Sequence, residues 1–329
     1  MFMDNKHKIV QVLSDGEFHS GEVIGQQLGI SRAAVSEHIK SLSKIGLDIF
    51  SITGKGYQLA GGLSLLDLKQ IKHNCSVSNE LELFPVIPST NEYLMGLIKS
   101  ENTLVDGHTV LAECQTKGKG RRGRTWQSPF GTHVYLSQYR TMDNGLSAAS
   151  GLSLAIGIAV LNTINLFSNK KCQLKWPNDL LVDGKKIAGI LVEAEGQADG
   201  ICHLVIGVGI NVDMPAVVAS DIDQPWTDLN TITDSLVDRN EFIAKLLEQL
   251  EDTYQEYKLN RLDNLFKLWN KNNAFLNQIV ELTSTSKVQV GKCLGIDTSG
   301  ALLLEDLTSK VTSKIFGGEV SLRKKKVVS

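Results

Sequence analysis

The chain has 329 residues and a formal net charge of −2, from 34 Lys and Arg against 36 Asp and Glu. That is room for two or three domains and a sizeable core, and it excludes a polycation built along its whole length for nucleic acid. Five scattered cysteines (Cys75, Cys114, Cys172, Cys202 and Cys293), odd in number and without a C-x-x-C pair, argue for reduced thiols and against a disulfide framework or a zinc site. The start, with Asp4, Lys6 and Lys8, has no apolar signal core, and the apolar run from Leu152 to Leu161 is too short to span a bilayer. The expectation is a cytoplasmic protein with no membrane segment and no protein-borne metal site.

Ser20 can cap a helix with Val23, Ile24 and Leu28 on one side, and Gly29 can end it. Ser31 can cap the next, whose Val35, Ile39 and Leu42 fall at i, i+4 and i+7. Two short helices around Gly29-Ile30 form a helix-turn-helix pattern, and Ile49 to Thr53 with Tyr57 to Leu59 flank Gly54-Lys55-Gly56 as a hairpin wing. The second helix would turn Ser31, Arg32, Ser36 and Lys40 toward solvent, within reach of phosphates and base edges. Residues 1–60 carry six cations and six acids, which is poor for counterion-release affinity and favours two half-sites read by a dimer. Gly61-Gly62 and Leu63-Ser64 read as a linker, with a helix starting near Ser64.

From Leu81 strands alternate with helices. Leu83 to Ile87 is a short strand, and Ser89 or Thr90 can cap the helix through Tyr93, Leu94, Leu97 and Ile98. Ser89-Thr90-Asn91 is either an ordinary cap or a set of polar partners for a ligand at a helix N-terminus. The strand Thr109 to Cys114 feeds the stretch Lys117 to Arg124, in which five residues are Lys or Arg and the other three are Gly118, Gly120 and Gly123. Such a stretch is a loop, either solvated or closing on an anion, because three glycines cost a helix about 1 kcal/mol each. Its closely spaced like charges have little to order them until an anion arrives. Gly118-x-Gly120-x-x-Gly123 fits the dinucleotide fingerprint and nearly fits a P-loop, yet both require a helix next. Trp126-Gln127-Ser128-Pro129-Phe130-Gly131 is a turn into the strand His133 to Gln138, so both readings fall.

A buried helix from Leu146 to Phe167 follows, then Lys175-Trp176-Pro177-Asn178-Asp179, the strand Leu180 to Val182, and a strand from Lys185 to Glu193. Lys186 is either a solvated strand-edge residue or a cation aimed into a pocket. Leu204 to Asn211 is a buried strand whose Gly207 and Gly209 let something approach its backbone. Arg239 to Trp269 reads as charge-rich surface helices. Short strands then run Gln278 to Leu282, Lys287 to Leu294, Leu302 to Glu305 and Lys310 to Phe316, a small β-barrel in outline, and the tail at Lys324-Lys325-Lys326 reads as solvated.

Ser89-Thr90-Asn91, G-K-G-R-R-G-R-T-W, K-W-P-N-D, K-K-I-A-G-I-L-V-E and G-V-G-I-N, in this order, resemble the biotin protein ligase family. With the helix-turn-helix in front, the chain is similar to the bifunctional members, the biotin operon repressors, from about Ser20 to Arg323. The resemblance implies an α+β multidomain chain. A winged helix-turn-helix (1–62) would precede a central mixed α/β ligase domain like the class II aminoacyl-tRNA synthetase cores (63–274) and an SH3-like barrel (275–329). It implies that biotin and ATP, with Mg²⁺, give biotinyl-5′-AMP, and that the biotinyl group passes to one lysine of the biotin carboxyl carrier protein of acetyl-CoA carboxylase. The adenylate would also be corepressor, favouring a homodimer on operator DNA. The rival readings are a ligase whose N-terminal domain no longer binds DNA, and a ligand-sensing transcription factor without ligase activity.

By the same resemblance, Lys186, Arg121, Arg124 and Asp179 would be catalytic. Ser89, Thr90, Asn91, Gln115, Lys119, Gly120, Arg121, Lys186, Gly207 and Gly209 would bind biotin. Arg121, Arg122, Arg124, Trp126, Asn178, Lys186, Asn211, Val217, Trp226 and Arg323 would bind ATP or the adenylate, with Val217 and Trp226 on a second loop over the adenine. Glu22, Ser31, Arg32, Ala33, Ser36, Lys40 and Lys55 would face DNA. One departure from the repressor-type loop, Lys119 in place of an arginine, keeps charge but loses the fork geometry for bidentate phosphate contact.

Overall fold

The structure is a computed structural model, and it describes residues 5–325 other than 45, 60–62, 79, 144, 146–148, 197–199, 216, 217, 219, 221, 260, 285–287 and 318–320. A helix the sequence reading did not name, α1 (Asn5–Leu13), comes first and buries Ile9, Val10 and Leu13. The expected pair follows as α2 (Gly21–Leu28) and α3 (Arg32–Lys44). Ser20 Oγ accepts from Val23 N at 3.1 Å, Ser31 Oγ accepts from Ala34 N at 3.1 Å, and Gly29 ends α2 at φ 67°. Ile24, Val35, Ile39 and Leu42 are buried, whereas Val23 is 44% exposed. The wing is the antiparallel hairpin β1 (Ile49–Ile52) and β2 (Gly56–Leu59). Gly61-Gly62, expected as linker, lies outside the described residues.

The expected helix near Ser64 begins instead at Leu68, as α4 (Leu68–Asn74) with Asp67 as its cap. The segment before it is held extended by buried side chains. Glu113 Oε1 accepts from Leu66 N, Arg239 donates to Ser64 O, and Asn240 donates to Leu65 O and accepts from Asp67 N. Arg239 and Glu113 are themselves a buried ion pair at 2.9 Å.

The central sheet runs in the order β3-β4-β5-β9-β8-β7-β6, with β3 (Leu81–Phe84), β4 (Thr109–Ala112), β5 (His133–Met142), β6 (Cys172–Lys175), β7 (Asp179–Val182), β8 (Lys185–Gly196) and β9 (Cys202–Asn211). Only β3 and β4 among these neighbours pair in parallel. Alternate residues face opposite sides. Leu111, Leu136, Leu204, Ile206 and Val208 share one apolar cluster with α6 (Leu152–Phe167). Val110, Ala112, Tyr135, Tyr139 and Val205 share another with α5 (Thr90–Lys99). A one-turn helix, α7 (Leu229–Ile232), precedes α8 (Arg239–Lys258) and α9 (Leu262–Lys271). The expectation of surface helices is corrected for α8: Phe242, Ile243, Leu246, Leu247, Leu250 and Tyr254 are fully buried against α6 and the sheet. Apart from the buried Arg239, its charges occupy the remaining face, and Glu251 pairs with the buried Arg140 of β5.

The C-terminal part is an antiparallel sheet in the order β13-β12-β11-β10-β14, formed by β10 (Ile279–Thr283), β11 (Val288–Ile296), β12 (Leu302–Asp306), β13 (Thr312–Ile315) and β14 (Ser321–Lys324). The sequence reading missed β14, which offers one apolar residue, Leu322. The apolar interior of this sheet (Val280, Leu282, Leu302, Leu304, Leu322) is continuous with that of the central domain. Cys114 and Phe130 likewise belong to the apolar cluster of the N-terminal helices.

Candidate active site

Between α5, the start of β7 and the loop after β4 lies a cleft open to solvent. Its floor is one sheet face on which small residues cluster. Register pairs Ser137 with Gly207, Gly207 with Leu191, and Gly209 with Gly189. A Cβ on Gly207 would collide with the Asn91 amide, and one on Gly209 would lie 2.6 Å from the Trp126 indole. The close approach these glycines permit is thus made by the protein's own side chains, which rest directly on the strand.

At one end the N-terminus of α5 presents a polar cluster. Ser89 does cap the helix, and Thr90 and Asn91, both buried, turn into the cleft. Thr90 N and Oγ1 donate to Gln115 Oε1 at 2.9 and 3.1 Å, and Gln115 Nε2 donates to Ser128 Oγ at 3.2 Å. Ser137 Oγ lies 2.6 Å from Thr90 Oγ1 and 2.5 Å from Asn91 Oδ1, so its one proton serves one of them at a time. Asn91 Nδ2 donates to Glu193 Oε2 at 2.7 Å. Such a cluster suits a neutral ligand with both donors and acceptors.

At the other end, Asp179 is clasped by two lysines: Lys186 Nζ is 2.6 Å from Oδ1 and Lys175 Nζ 3.1 Å from Oδ2. Lys186 reaches this side because β8 carries a bulge. Leu180 pairs with Ala188 but Leu181 pairs with Lys186, so Ile187 is the extra residue and Lys186 joins the face of Gly189 and Asp179. Burial pushes the Asp179 carboxyl up, but the charges and hydrogen bonds of Lys186 and Lys175 outweigh it and hold it below its usual value. Arg121 Nη1 donates to Asn178 Oδ1 at 3.2 Å; burial pulls this guanidinium down and the nearby Asp179 charge opposes that. One carboxylate against Lys175, Lys186 and Arg121 leaves the pocket with a surplus of positive charge.

The basic loop closes over this end. Gly120 N donates to Arg124 O at 2.7 Å and Trp126 N to Gly118 O at 2.9 Å, around a single 3₁₀ turn at Arg121–Gly123 with Arg122 at φ 60°. These bonds define the path of the loop backbone. Trp126 lies across Gly189 and Gly209, with Lys186 Nζ 5.2 Å from its ring centroid. Arg122 and Arg124 are exposed at the rim. Lys119 points away from the floor to Glu92 of α5, an exposed ion pair that raises the Lys119 ammonium's affinity for its proton.

Of the expected ligand-binding residues, Ser89, Thr90, Asn91, Gln115, Lys119, Gly120, Arg121, Arg122, Arg124, Trp126, Asn178, Asp179, Lys186, Gly207 and Gly209 all line this one cleft. Three others lie elsewhere. Asn211 is buried behind it, its Nδ2 donating to Thr227 O at 3.0 Å and lying 3.4 Å from Lys186 O. Trp226 forms a backbone bridge with Lys186, and its neighbour Gln224 lines the cleft instead. Arg323 is exposed on β14, while Ser321 and Leu322 line the cleft. Val217 lies outside the described residues. Sequence reasoning missed Lys175, Ser137, Gly189 and Glu193. A small serine inside the strand His133 to Gln138 was a usable signal for Ser137, and a glycine inside an apolar strand was one for Gly189.

The expected DNA-facing residues Glu22, Ser31, Arg32, Ala33, Lys40 and Lys55 are exposed and Ser36 is half-buried. Lys40 pairs with Glu37 at 2.8 Å, and Lys55 Nζ sits 5.6 Å from the Phe18 ring centroid.

The fold and cleft define a helix-turn-helix protein with an anion-accepting α/β module. Residues 83–211 match the model of the biotin/lipoate A/B protein ligase family, residues 5–58 an HTH domain and residues 275–323 the biotin protein ligase C terminal domain. The bifunctional ligase/repressor BirA of Salmonella typhimurium is 42% identical over 315 residues, 96% of each chain. That of Bacillus subtilis is 31% identical over 310 residues, 93% of this chain and 94% of its own. The solved biotin protein ligase from Aquifex aeolicus in complex with biotin and ATP is similar at a TM-score of 0.62 and 28% identity, over 75% of this chain and 99% of that one. The chain belongs to the biotin protein ligase family, as one of its bifunctional ligase/repressor members.

Proposed function

We propose that the protein activates biotin with ATP to biotinyl-5′-AMP, transfers biotin to a lysine of the biotin carboxyl carrier protein, and represses the biotin operon with the adenylate as corepressor. The observation that carries the reading is the two-ended cleft. A neutral hydrogen-bonding cluster at Thr90, Asn91, Gln115 and Ser137 suits the biotin ureido ring, and a cation-rich end at Lys186, Lys175 and Arg121 suits a carboxylate meeting an α-phosphate.

In the first step a carboxylate oxygen attacks the α-phosphorus and pyrophosphate leaves, so two anions must be brought together and the developing charge neutralised. Lys186 and Arg121 are placed for that; Arg122 and Arg124 at the rim meet the outer phosphates, with the Trp126 ring against the adenylate. In the second step the acceptor amine attacks the acyl carbon, the C–O bond to the phosphate breaks and AMP leaves with its electron pair. Asn211 acts here through the backbone of Lys186 and Thr227 rather than by touching the nucleotide. The cleft carboxylates Asp179, Glu193 and Glu92 are engaged by Lys186, Asn91 and Lys119, and no three metal-ligating side chains cluster among the described residues. Mg²⁺ would arrive on the phosphates of ATP, which supply ligands that the protein need not.

The same reading divides the chain at 62 and 274, takes the central sheet as related to the class II aminoacyl-tRNA synthetase cores, and takes the final five strands as an SH3-like barrel. It also takes the adenylate-bound protein as a homodimer on operator DNA, in the cytoplasm. Among the described residues no helix is long and apolar enough to cross a membrane. The test mixes protein, biotin, MgATP and a carrier domain and looks for a mass gain of one biotinyl group on the carrier; no gain overturns the ligase reading. An operator fragment retarded equally with and without biotin and ATP overturns the corepressor reading.

A further inference from the structure

Asp179 has two cation partners, and they are mounted differently. Lys186 stands at a strand bulge beside Gly189, with its ammonium near the Trp126 face and free space of the cleft on one side. Lys175 is directly opposite Asp179 in the β6–β7 register, and both its neighbours are anchored. Leu174 is buried and bonded through N and O to Asn272 O and Ala274 N at 2.8 Å each. Trp176 is buried, with Nε1 donating to Gly300 O at 3.3 Å in the turn before β12. The backbone at Lys175 is thus tied on both sides, and its ammonium lies 3.1 Å from Oδ2.

We propose that Lys175 is a positioning residue which holds Oδ2 of Asp179, so that Oδ1 alone exchanges partners, passing from Lys186 to the ammonium of the incoming acceptor lysine. The inference rests on the ligase reading given above. When an anionic group enters the cleft, Lys186 is drawn toward it and leaves Oδ1. Without Lys175 the carboxylate would then keep only the more distant Arg121 charge, in a site where burial disfavours its ionised form. With Lys175 in place it stays ionised and keeps its rotamer, and one oxygen is open to dock the acceptor. The groups that face Asp179 are Lys175 from β6, Lys186 from β8 and Arg121 from the basic loop.

The test uses full-length protein with Lys175→Met and Lys175→Arg, following pyrophosphate exchange for the first step and single-turnover transfer from biotinyl-5′-AMP to a carrier domain for the second. Removing Lys175 raises the Asp179 pKa, so the acid limb of the transfer rate moves to higher pH. At a pH on that limb K175M transfers at least roughly tenfold more slowly, the factor that one unit of pKa represents. Transfer falls by more than exchange does, and K175R restores the limb most of the way. A K175M limb unmoved from wild type, or K175R as impaired as K175M, overturns the proposal while leaving the ligase reading intact. Wild-type protein without exchange or transfer overturns the ligase reading itself, and this proposal with it. Should K175M fail to fold, the K175R limb decides alone: a limb within a few tenths of a pH unit of wild type supports the proposal and a larger displacement overturns it.

Discussion

Lys186 Nζ rests 2.6 Å from Asp179 Oδ1 because an extra residue, Ile187, turns the lysine onto the cleft side of the sheet, and Gly189 leaves space for its stem. The pair is an ion pair only until a stronger anion competes for the ammonium. Replacing Lys186 by Ala should lower pyrophosphate exchange by roughly 10²-fold or more, the usual loss when one preorganised charge at a reacting centre is removed. Lys175 still satisfies the carboxylate, so the thermal midpoint should stay close to wild type. Equal loss of fold and activity would make Lys186 a structural ion-pair partner.

Gly209 tests the floor. A methyl group there would lie 2.6 Å from Cε2 of Trp126, whose indole also rests on Gly189 and has Lys186 Nζ 5.2 Å from its ring centroid. Gly209→Ala should displace Trp126 and the loop behind it, raising the KM for biotin and ATP roughly tenfold or more. Overpacking costs typically 1–3 kcal/mol, so the fold should survive. Unchanged kinetics with an unchanged Trp fluorescence spectrum would refute the close packing of this indole on the strand.

Much of the cleft was legible because its chemistry is carried by short runs: S-T-N at a helix N-terminus, a Gly-Arg loop that no helix follows, and glycines inside an apolar strand. What was not legible depends on pairing between distant strands. Nothing in Lys185-Lys186-Ile187 announces a bulge, yet the bulge decides which lysine enters the cleft. Nothing in Asn211 says that its amide bonds backbone rather than ligand. Arg239 and Asn240 looked like surface residues at the start of a polar helix, and they are buried because Ser64 O, Leu65 O, Asp67 N and His133 O supply backbone partners. Charge count misled there because a buried guanidinium is tolerable when it is paired with a carboxylate and bonded to backbone carbonyls.

The Arg239–Glu113 pair should therefore set how firmly the segment before α4 is held. Both side chains are buried, and between them they bind Ser64 O and Leu66 N. Glu113→Ala leaves a buried guanidinium unpaired and should destabilise the chain by about 3–5 kcal/mol in urea or guanidinium unfolding. The double variant Glu113→Leu, Arg239→Met should recover part of that loss, because the charge penalty goes with the pair. A single-variant cost below about 1 kcal/mol would mean that the segment is held by its apolar contacts alone.

His133, beside this pair at the start of β5, should make the fold acid-sensitive. Its ring is fully buried, and its Nε2 has no partner among the described residues. Burial pushes its pKa down from the usual 6.5 to about 4, with the Thr132 carbonyl and Asp228 opposing and Arg239 adding to the fall. The unfolded chain binds this proton near pH 6.5 and the folded chain only near pH 4. Its contribution is thus fully present above about pH 6.5, declines as pH falls through that window and is gone below about pH 4. The two-and-a-half-unit gap corresponds to roughly 3 kcal/mol at most. Unfolding free energies measured across pH 7.5 to 4 on wild type and His133→Asn should show a shallower decline for the variant, whatever its stability at neutral pH. Parallel curves would show that the imidazole does not govern the acid limb.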